Sequence, residues 1–279
     1  MKNIQNLPVY DSAKRGQAAI DEIREIIHFR HLIWQLVRRD VTARYKRSAL
    51  GIAWTMLNPL GMMLVWTVAF SQVFRIGAAQ EGYAAYVLNG LLAWLFFSQT
   101  TTAAMVNLVW GGALLNRIYI PHTSFAIAAI GTGLLNLVLG LLPLIVVMLV
   151  IGVPLKLSVV VIPLSMLILT GFALGIALLI STLAVYYPDV SEMYQIALTG
   201  WMFLTPIMYP AEILQTGPQS ILLLINPMAH LVRLFRLPLY YGQYPTASEW
   251  LVGLVISLVV LLLGWIVFTK KANEFAYRL

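Results

Sequence analysis

Six stretches of this chain, residues 50–74, 86–108, 125–153, 157–184, 190–208 and 250–268, are each long and apolar enough to be read as a bilayer-crossing helix. A hydrocarbon layer of about 30 Å takes roughly 20 mostly apolar residues at 1.5 Å per residue. The expected fold class is therefore an all-α membrane protein with six transmembrane helices. Composition agrees: 60% of residues are apolar and 10% charged, against about 25% charged in soluble domains. So few charges cannot cover a soluble surface, so lipid has to cover part of it. The same numbers exclude disorder, coiled coil and a disulfide scaffold. With no cysteine, thiolate chemistry and Cys-ligated zinc are impossible. His28, His31, His122 and His230 stand at no ligand spacing, so no metal site is expected.

Orientation follows from Lys and Arg. With the N-terminus inside, fourteen of the 18 lie on the inner side; Arg75, Lys156, Arg233 and Arg236 lie outside. That is a strong positive-inside bias, and it points to membrane topology rather than nucleic-acid binding. No signal-peptide core opens the chain, so both termini are expected in the cytoplasm. Residues 1–49 are expected to form a cytoplasmic N-terminal segment, 50–269 a six-helix transmembrane domain, and 270–279 a cytoplasmic tail.

Within the N-terminal segment, Ile20, Ile23, Ile27, Trp34, Val37, Val41 and Tyr45 recur at helical steps. They predict one amphipathic interface helix lying in the headgroup layer. Residues 211–249 are apolar, but Gly217-Pro218 and Asn226-Pro227 cut them into pieces too short to span. Two half-helices, 221–225 and 228–235, are expected to dip in from the outer side and return over about 211–242, between helices five and six. Broken backbone is tolerated at that depth where protein or a watery cavity covers it.

Candidate functional residues each carry two readings. Arg44-Tyr45-Lys46-Arg47 is a topogenic anchor, or a dock for a lipid headgroup phosphate through Arg44, Lys46 and Arg47. Asn116-Arg117-Ile118-Tyr119-Ile120-Pro121 is a basic turn, or a coupling segment pressing on a cytoplasmic partner through Arg117, Ile118, Tyr119 and Pro121. Asp189 and Glu192 fit a capping box at the start of helix five. Met62, Trp66, Phe70 and Phe74 share one helix face, and Trp201 and Phe203 lie in helix five. Trp66, Phe70, Trp201 and Phe203 are packing bulk, or a conduit wall on which the apolar faces of sugar rings stack. Pro218, Asn226 and Pro227 mark the expected outer gate. Phosphate loops, GxSxG and HExxH are absent, and the spans hold no deep acid or base. The latter argues against ion-coupled transport.

The blocks Leu36-Val37-Arg38-Arg39-Asp40, Arg44-Tyr45-Lys46-Arg47-Ser48-Ala49-Leu50-Gly51, Trp54, Asn58-Pro59-Leu60, Asn116–Pro121, Tyr187-Pro188-Asp189-Val190, Thr205-Pro206-Ile207-Met208-Tyr209-Pro210 and Ile225-Asn226-Pro227 together give the chain a family likeness. It resembles the type-2 ABC exporter permeases of the polysaccharide, O-antigen and teichoic acid group. One departure is that His122-Thr123 follow Pro121, where the group commonly has more basic residues and an acid. The resemblance implies a homodimer in the bacterial inner membrane, two ABC ATPase subunits that hold ATP and Mg, and a lipid-linked glycan as cargo. It implies no cofactor in this chain, no enzyme activity and no nucleic-acid partner. The rival readings are a permease for teichoic acid, capsule, a drug or a small lipid, and a membrane-embedded glycan-modifying enzyme.

Overall fold

A computed structural model of the chain describes residues 18–46, 48–73, 82–110, 121–214 and 220–278. These form ten α-helices: α1 (Ala18–His28), α2 (Arg30–Tyr45), α3 (Trp54–Thr67), α4 (Tyr83–Trp110), α5 (Thr123–Ile151), α6 (Ile162–Tyr186), α7 (Val190–Leu204), α8 (Ser220–Ile225), α9 (Pro227–Arg236) and α10 (Ala247–Arg278). A 3-10 turn, Gly51–Ala53, leads into α3, and a wider π turn, Val68–Val73, continues it. Five helical stretches among the described residues are long and apolar enough to cross a bilayer: Gly51–Ser71, Tyr83–Trp110, Thr123–Ile151, Leu157–Tyr186 and Ala247–Ala272.

α4 is the central post. Its buried face carries Leu88, Leu91, Trp94 and Phe97 and packs on α5 and α6. α6 meets α10 along a seam of small residues. A Cβ placed on Gly175 would lie 2.6 Å from the Leu261 backbone nitrogen and from the Val260 carbonyl, so the two backbones touch there. One turn away, Ser257 Oγ donates to the Ile168 carbonyl at 2.8 Å. Lipid tails are as apolar as leucine, so helices in a membrane are held by such close packing rather than by hydrophobic expulsion. α5 ends where Gly152 turns left-handed at φ +86°, and the Val153 amide returns to the Met148 carbonyl at 2.9 Å.

The N-terminal helix differs from the sequence expectation. The helix is interrupted at Phe29, and two helices replace one. The face packed on the protein is Leu36 and Val37, beside Leu32 and Ile33, against Ala128 of α5. Ile27 and Trp34, expected on that same apolar face, are exposed. The break offsets Ile27 from α2, and within α2 Val37 is buried while Trp34, three residues earlier, is exposed, so the expected apolar stripe is divided between a protein-packed part and an uncovered part.

Helix five is also shorter than its apolar run. α7 stops at Leu204 because Pro206 follows: Thr205 is driven to the extended region (φ −98°, ψ 131°), as residues before proline are. Its 15 residues reach about 22 Å. The expected capping box does not form. Asp189 has helical backbone and makes no side-chain cap bond, and Glu192 is exposed. The two short helices between α7 and α10 do appear, separated at Asn226, as the Asn-Pro step predicts.

At the end bearing α1 and α2, Glu274 accepts a hydrogen bond from the Tyr186 hydroxyl and one from Lys271 at 3.0 Å. These two bonds hold its carboxyl below the usual glutamate range.

Candidate functional site

The face of α4 turned away from its packed side is polar. Ser98, Gln99, Thr102 and Asn107 recur there at helical steps with Ala103 and Val106. Three adjoining cavities open along it, and Gln99 borders all of them. One, about 320 Å³, lies toward α3 and α5 and presents Trp54, Thr55, Asn58 and Asn136. A second, about 540 Å³, lies toward α7 and presents Gln195 and Thr199. A third, about 190 Å³, reaches α2, where the Asn107 amide is 3.5 Å from an Asp40 carboxylate oxygen.

Gln99 sits about 24 Å along the helix axis from Tyr83 and about 17 Å from Trp110, well inside an apolar span. Gln99, Asn58 and Asn136 have no hydrogen-bond partner among the described residues. An unpaired amide facing hydrocarbon is costly, so at this depth these side chains call for a polar surrounding rather than lipid tails. Asp40 is the one charged residue among those that line the three cavities. The lining therefore offers neutral donors and acceptors in a row: it suits a neutral, hydroxyl-rich chain and gives a bare ion no counter-charge.

Of the four residues proposed from sequence as an aromatic wall, none borders these cavities. Trp66 and Phe70 pack beside Tyr83 and Tyr86. Trp201 lies edge-on to Trp94, Phe97 and Phe172, at centroid distances of 6.2, 5.2 and 6.3 Å. Phe203 points outward from α7 and is exposed. The aromatics that do border the groove are Trp54, Trp94 and Phe96. Sequence inspection passes over Gln99 and Asn136, although an amide within a membrane-length helix, alone as at Asn136 or in a polar run as at Gln99, is itself the signal.

Asn226 is brought against Trp201. Its Oδ1 accepts from the Trp201 indole at 2.8 Å and from the Met228 amide at 3.0 Å. Its Nδ2 donates to the Leu204 carbonyl at 3.1 Å and to Thr205 Oγ1 at 3.0 Å. One side chain thus caps α9, closes the end of α7 and joins the two; Pro227 follows at the first helical position, where its missing N–H costs nothing. Asn226→Ala leaves the Trp201 indole and the Leu204 carbonyl unpaired. It should cost on the order of 3 kcal/mol, read as a lowered thermal midpoint in detergent together with a shift in tryptophan emission.

The Lys and Arg pattern makes Arg236 an outer loop charge, yet it is buried. Its guanidinium lies 3.6 Å over the Tyr86 ring and donates to the carbonyls of Pro206 at 2.9 Å and Ile207 at 3.4 Å. It thereby staples the segment after α7 to α4 and α9.

The remaining sequence candidates are placed only in part. Arg117, Ile118, Tyr119, Arg47 and Pro218 lie outside the described residues, as does the Arg44 side chain. Pro121 is buried, and its carbonyl accepts from the Ser124 amide at 2.9 Å at the start of α5. Lys46 is exposed just past α2. No group of three or more His, Asp or Glu among the described residues is placed to hold a metal ion.

The sequence profile of the ABC-2 type transporter family matches residues 31–240, most of the chain. An O-antigen export system permease protein of Myxococcus xanthus is 30% identical over 255 residues, 91% of this chain and 97% of that protein. One of the same name from Klebsiella pneumoniae is 23% identical, covering 88% of this chain and 93% of its own length. A polysialic acid transport protein of Escherichia coli is 25% identical over 85% of this chain and 92% of its own. With a bundle of membrane-length helices and a profile match over this much of its length, the chain belongs to the ABC-2 type transporter family, as a membrane-embedded permease.

Proposed function

We propose that this permease exports a lipid-linked polysaccharide of the O-antigen type across the bacterial inner membrane, as half of a homodimer that two ABC ATPase subunits drive. The observation that carries this reading is the groove around Gln99, whose lining is neutral except for Asp40 at its α2 end. Its amides and hydroxyls can exchange hydrogen bonds with successive sugar units, and beyond Asp40 no fixed charge traps them. The names of the relatives support the cargo class. In this reading α7 and the segment to Met208 complete a sixth span, both termini are cytoplasmic, and α8 and α9 re-enter from the outer side to form the gate with Pro218, Asn226 and Pro227. The Lys and Arg bias supports that orientation.

The carrier's phosphates meet Arg44, Lys46 and Arg47 at the cytoplasmic face, and the glycan follows along α3, α4 and α7. Phe203, exposed on α7, and Trp54 supply ring faces along that path, while Trp66, Phe70 and Trp201 serve the packing around it. ATP and Mg act on the partner subunit, whose closure is felt at Arg117, Ile118, Tyr119 and Pro121 and through α2.

Deleting the gene should leave lipid-linked glycan inside the cell and strip it from the surface. Lectin labelling of intact against permeabilised cells reads this directly. Unchanged surface labelling would dismiss the reading.

A further inference from the structure

At the end of the bundle remote from α1 and α2, a cavity of about 570 Å³ opens between α9 and the starts of α4 and α10. Arg236 forms part of its wall, although the residue is only 4% exposed. Buried cations are normally paired with a carboxylate. Among the described residues none lies within ion-pair distance of this one. Its Nη atoms are satisfied by two carbonyls and its face by Tyr86, but its buried Nε has no partner. Carbonyls and a ring face stabilise a cation without neutralising it.

No other ionisable group on the wall pairs directly with Arg236; Glu212 acts on it only at longer range. Arg233 and Glu249 are bonded to each other at 2.7 Å, and Glu249 also accepts from Thr246, so that pair cancels. Glu212 is exposed and beyond ion-pair distance of Arg236. His230 faces the Leu224 carbonyl at 3.1 Å. The rest of the wall includes the apolar side chains of Leu223, Ala229 and Val252, and Val252 is itself partly exposed on α10.

We propose that this cavity binds a phosphate ester, the headgroup of an amphiphile, with buried Arg236 as its counter-cation and Arg233 at the rim. A guanidinium edge matches phosphate oxygens, the anion completes the charge that the protein leaves open, and the apolar wall accepts the first carbons of a chain. The site lies apart from the groove on α4 and does not depend on what that groove carries.

The test is equilibrium binding to the full-length permease, purified with its ATPase partner in maltoside detergent. The probes are dodecyl phosphate and, separately, inorganic phosphate. Saturable binding of dodecyl phosphate is expected. It should weaken about tenfold or more in Arg236→Met, the loss of a charge-assisted hydrogen bond. Because that variant also breaks the staple to Pro206 and Ile207, Leu223→Trp provides the second arm: it narrows the cavity with an indole on its wall and leaves Arg236 in place, and it should weaken binding as well. Competition by inorganic phosphate identifies a site for the phosphate group alone; binding of the alkyl ester without such competition identifies a lipid headgroup site. Either result supports the assignment. No saturable binding to the unmodified protein, or equal affinity in Leu223→Trp, overturns it. Surface glycan scored in the same variants keeps a failure here distinct from a failure of the export reading.

Discussion

Valine at position 175 should leave little assembled permease in the membrane. The ideal Cβ position at Gly175 is 2.6 Å from three backbone atoms of α10, a distance that real Cβ atoms do not reach. A neighbouring side chain can rotate away; a helix backbone cannot. α6 and α10 would have to separate along the whole seam, and the Ser257 to Ile168 bond at 2.8 Å would go with it. Overpacking a core costs about 1–3 kcal/mol where side chains can adjust, and here the cost should exceed that range. Size-exclusion chromatography of a fluorescent fusion is the measurement. A monodisperse peak of undiminished height and melting point would refute the seam as the main contact. Gly175→Ala should fall between the two.

The second large effect is on transport with the protein intact. Gln99→Leu combined with Asn136→Leu replaces two unpaired amides by apolar groups of similar size. Lipid-embedded folding should be unharmed, since neither amide has a partner to lose. Export should fall by about tenfold or more, at roughly 1 kcal/mol for each hydrogen bond denied to the passing chain. The readout is surface glycan per folded permease, with the carrier-linked form accumulating inside. A scaffold role predicts the opposite pairing, reduced protein and unchanged specific activity. Full export by the double variant would remove the groove from the mechanism.

Much of this architecture could be read without coordinates. The apolar runs give the five long helices, because a lipid-crossing segment has to be continuous in sequence. Asn226-Pro227 gives the start of α9, because a cap and an N1 proline are local signals. What escaped depends on distance in sequence or on unmarked breaks. Trp201 and Asn226 lie 25 positions apart and nothing local pairs them. Phe29 interrupts the N-terminal helix with no proline or glycine to announce it. Arg236 sits in an apolar run too short to span, so it passes for a loop charge, while three-dimensional packing buries it against Tyr86. The aromatic wall failed to line the cavities for a related reason: ring-rich positions are as useful for packing as for binding, and Trp201 is used for packing. The amides were legible in principle: Asn136 stands between two leucines, and Gln99 lies in a polar run, Ser98 to Thr102, inside an otherwise apolar span.

The near absence of charge along the groove has an electrical consequence. Moving one elementary charge through a membrane potential takes about 2.3 kcal/mol per 100 mV. A lining that carries no fixed charge beyond Asp40, at the α2 end, adds no step of its own to that field. A neutral sugar unit then crosses with no electrical work, and a chain of fifty units crosses as cheaply in volts as a chain of five. In the export reading proposed above, the charges of a phosphate-bearing carrier would be the part of the cargo that couples to the field, and they would cross once. Polymer length in such a permease is therefore uncoupled from the energised state of the membrane, and voltage bears on how often export begins rather than on how far it runs.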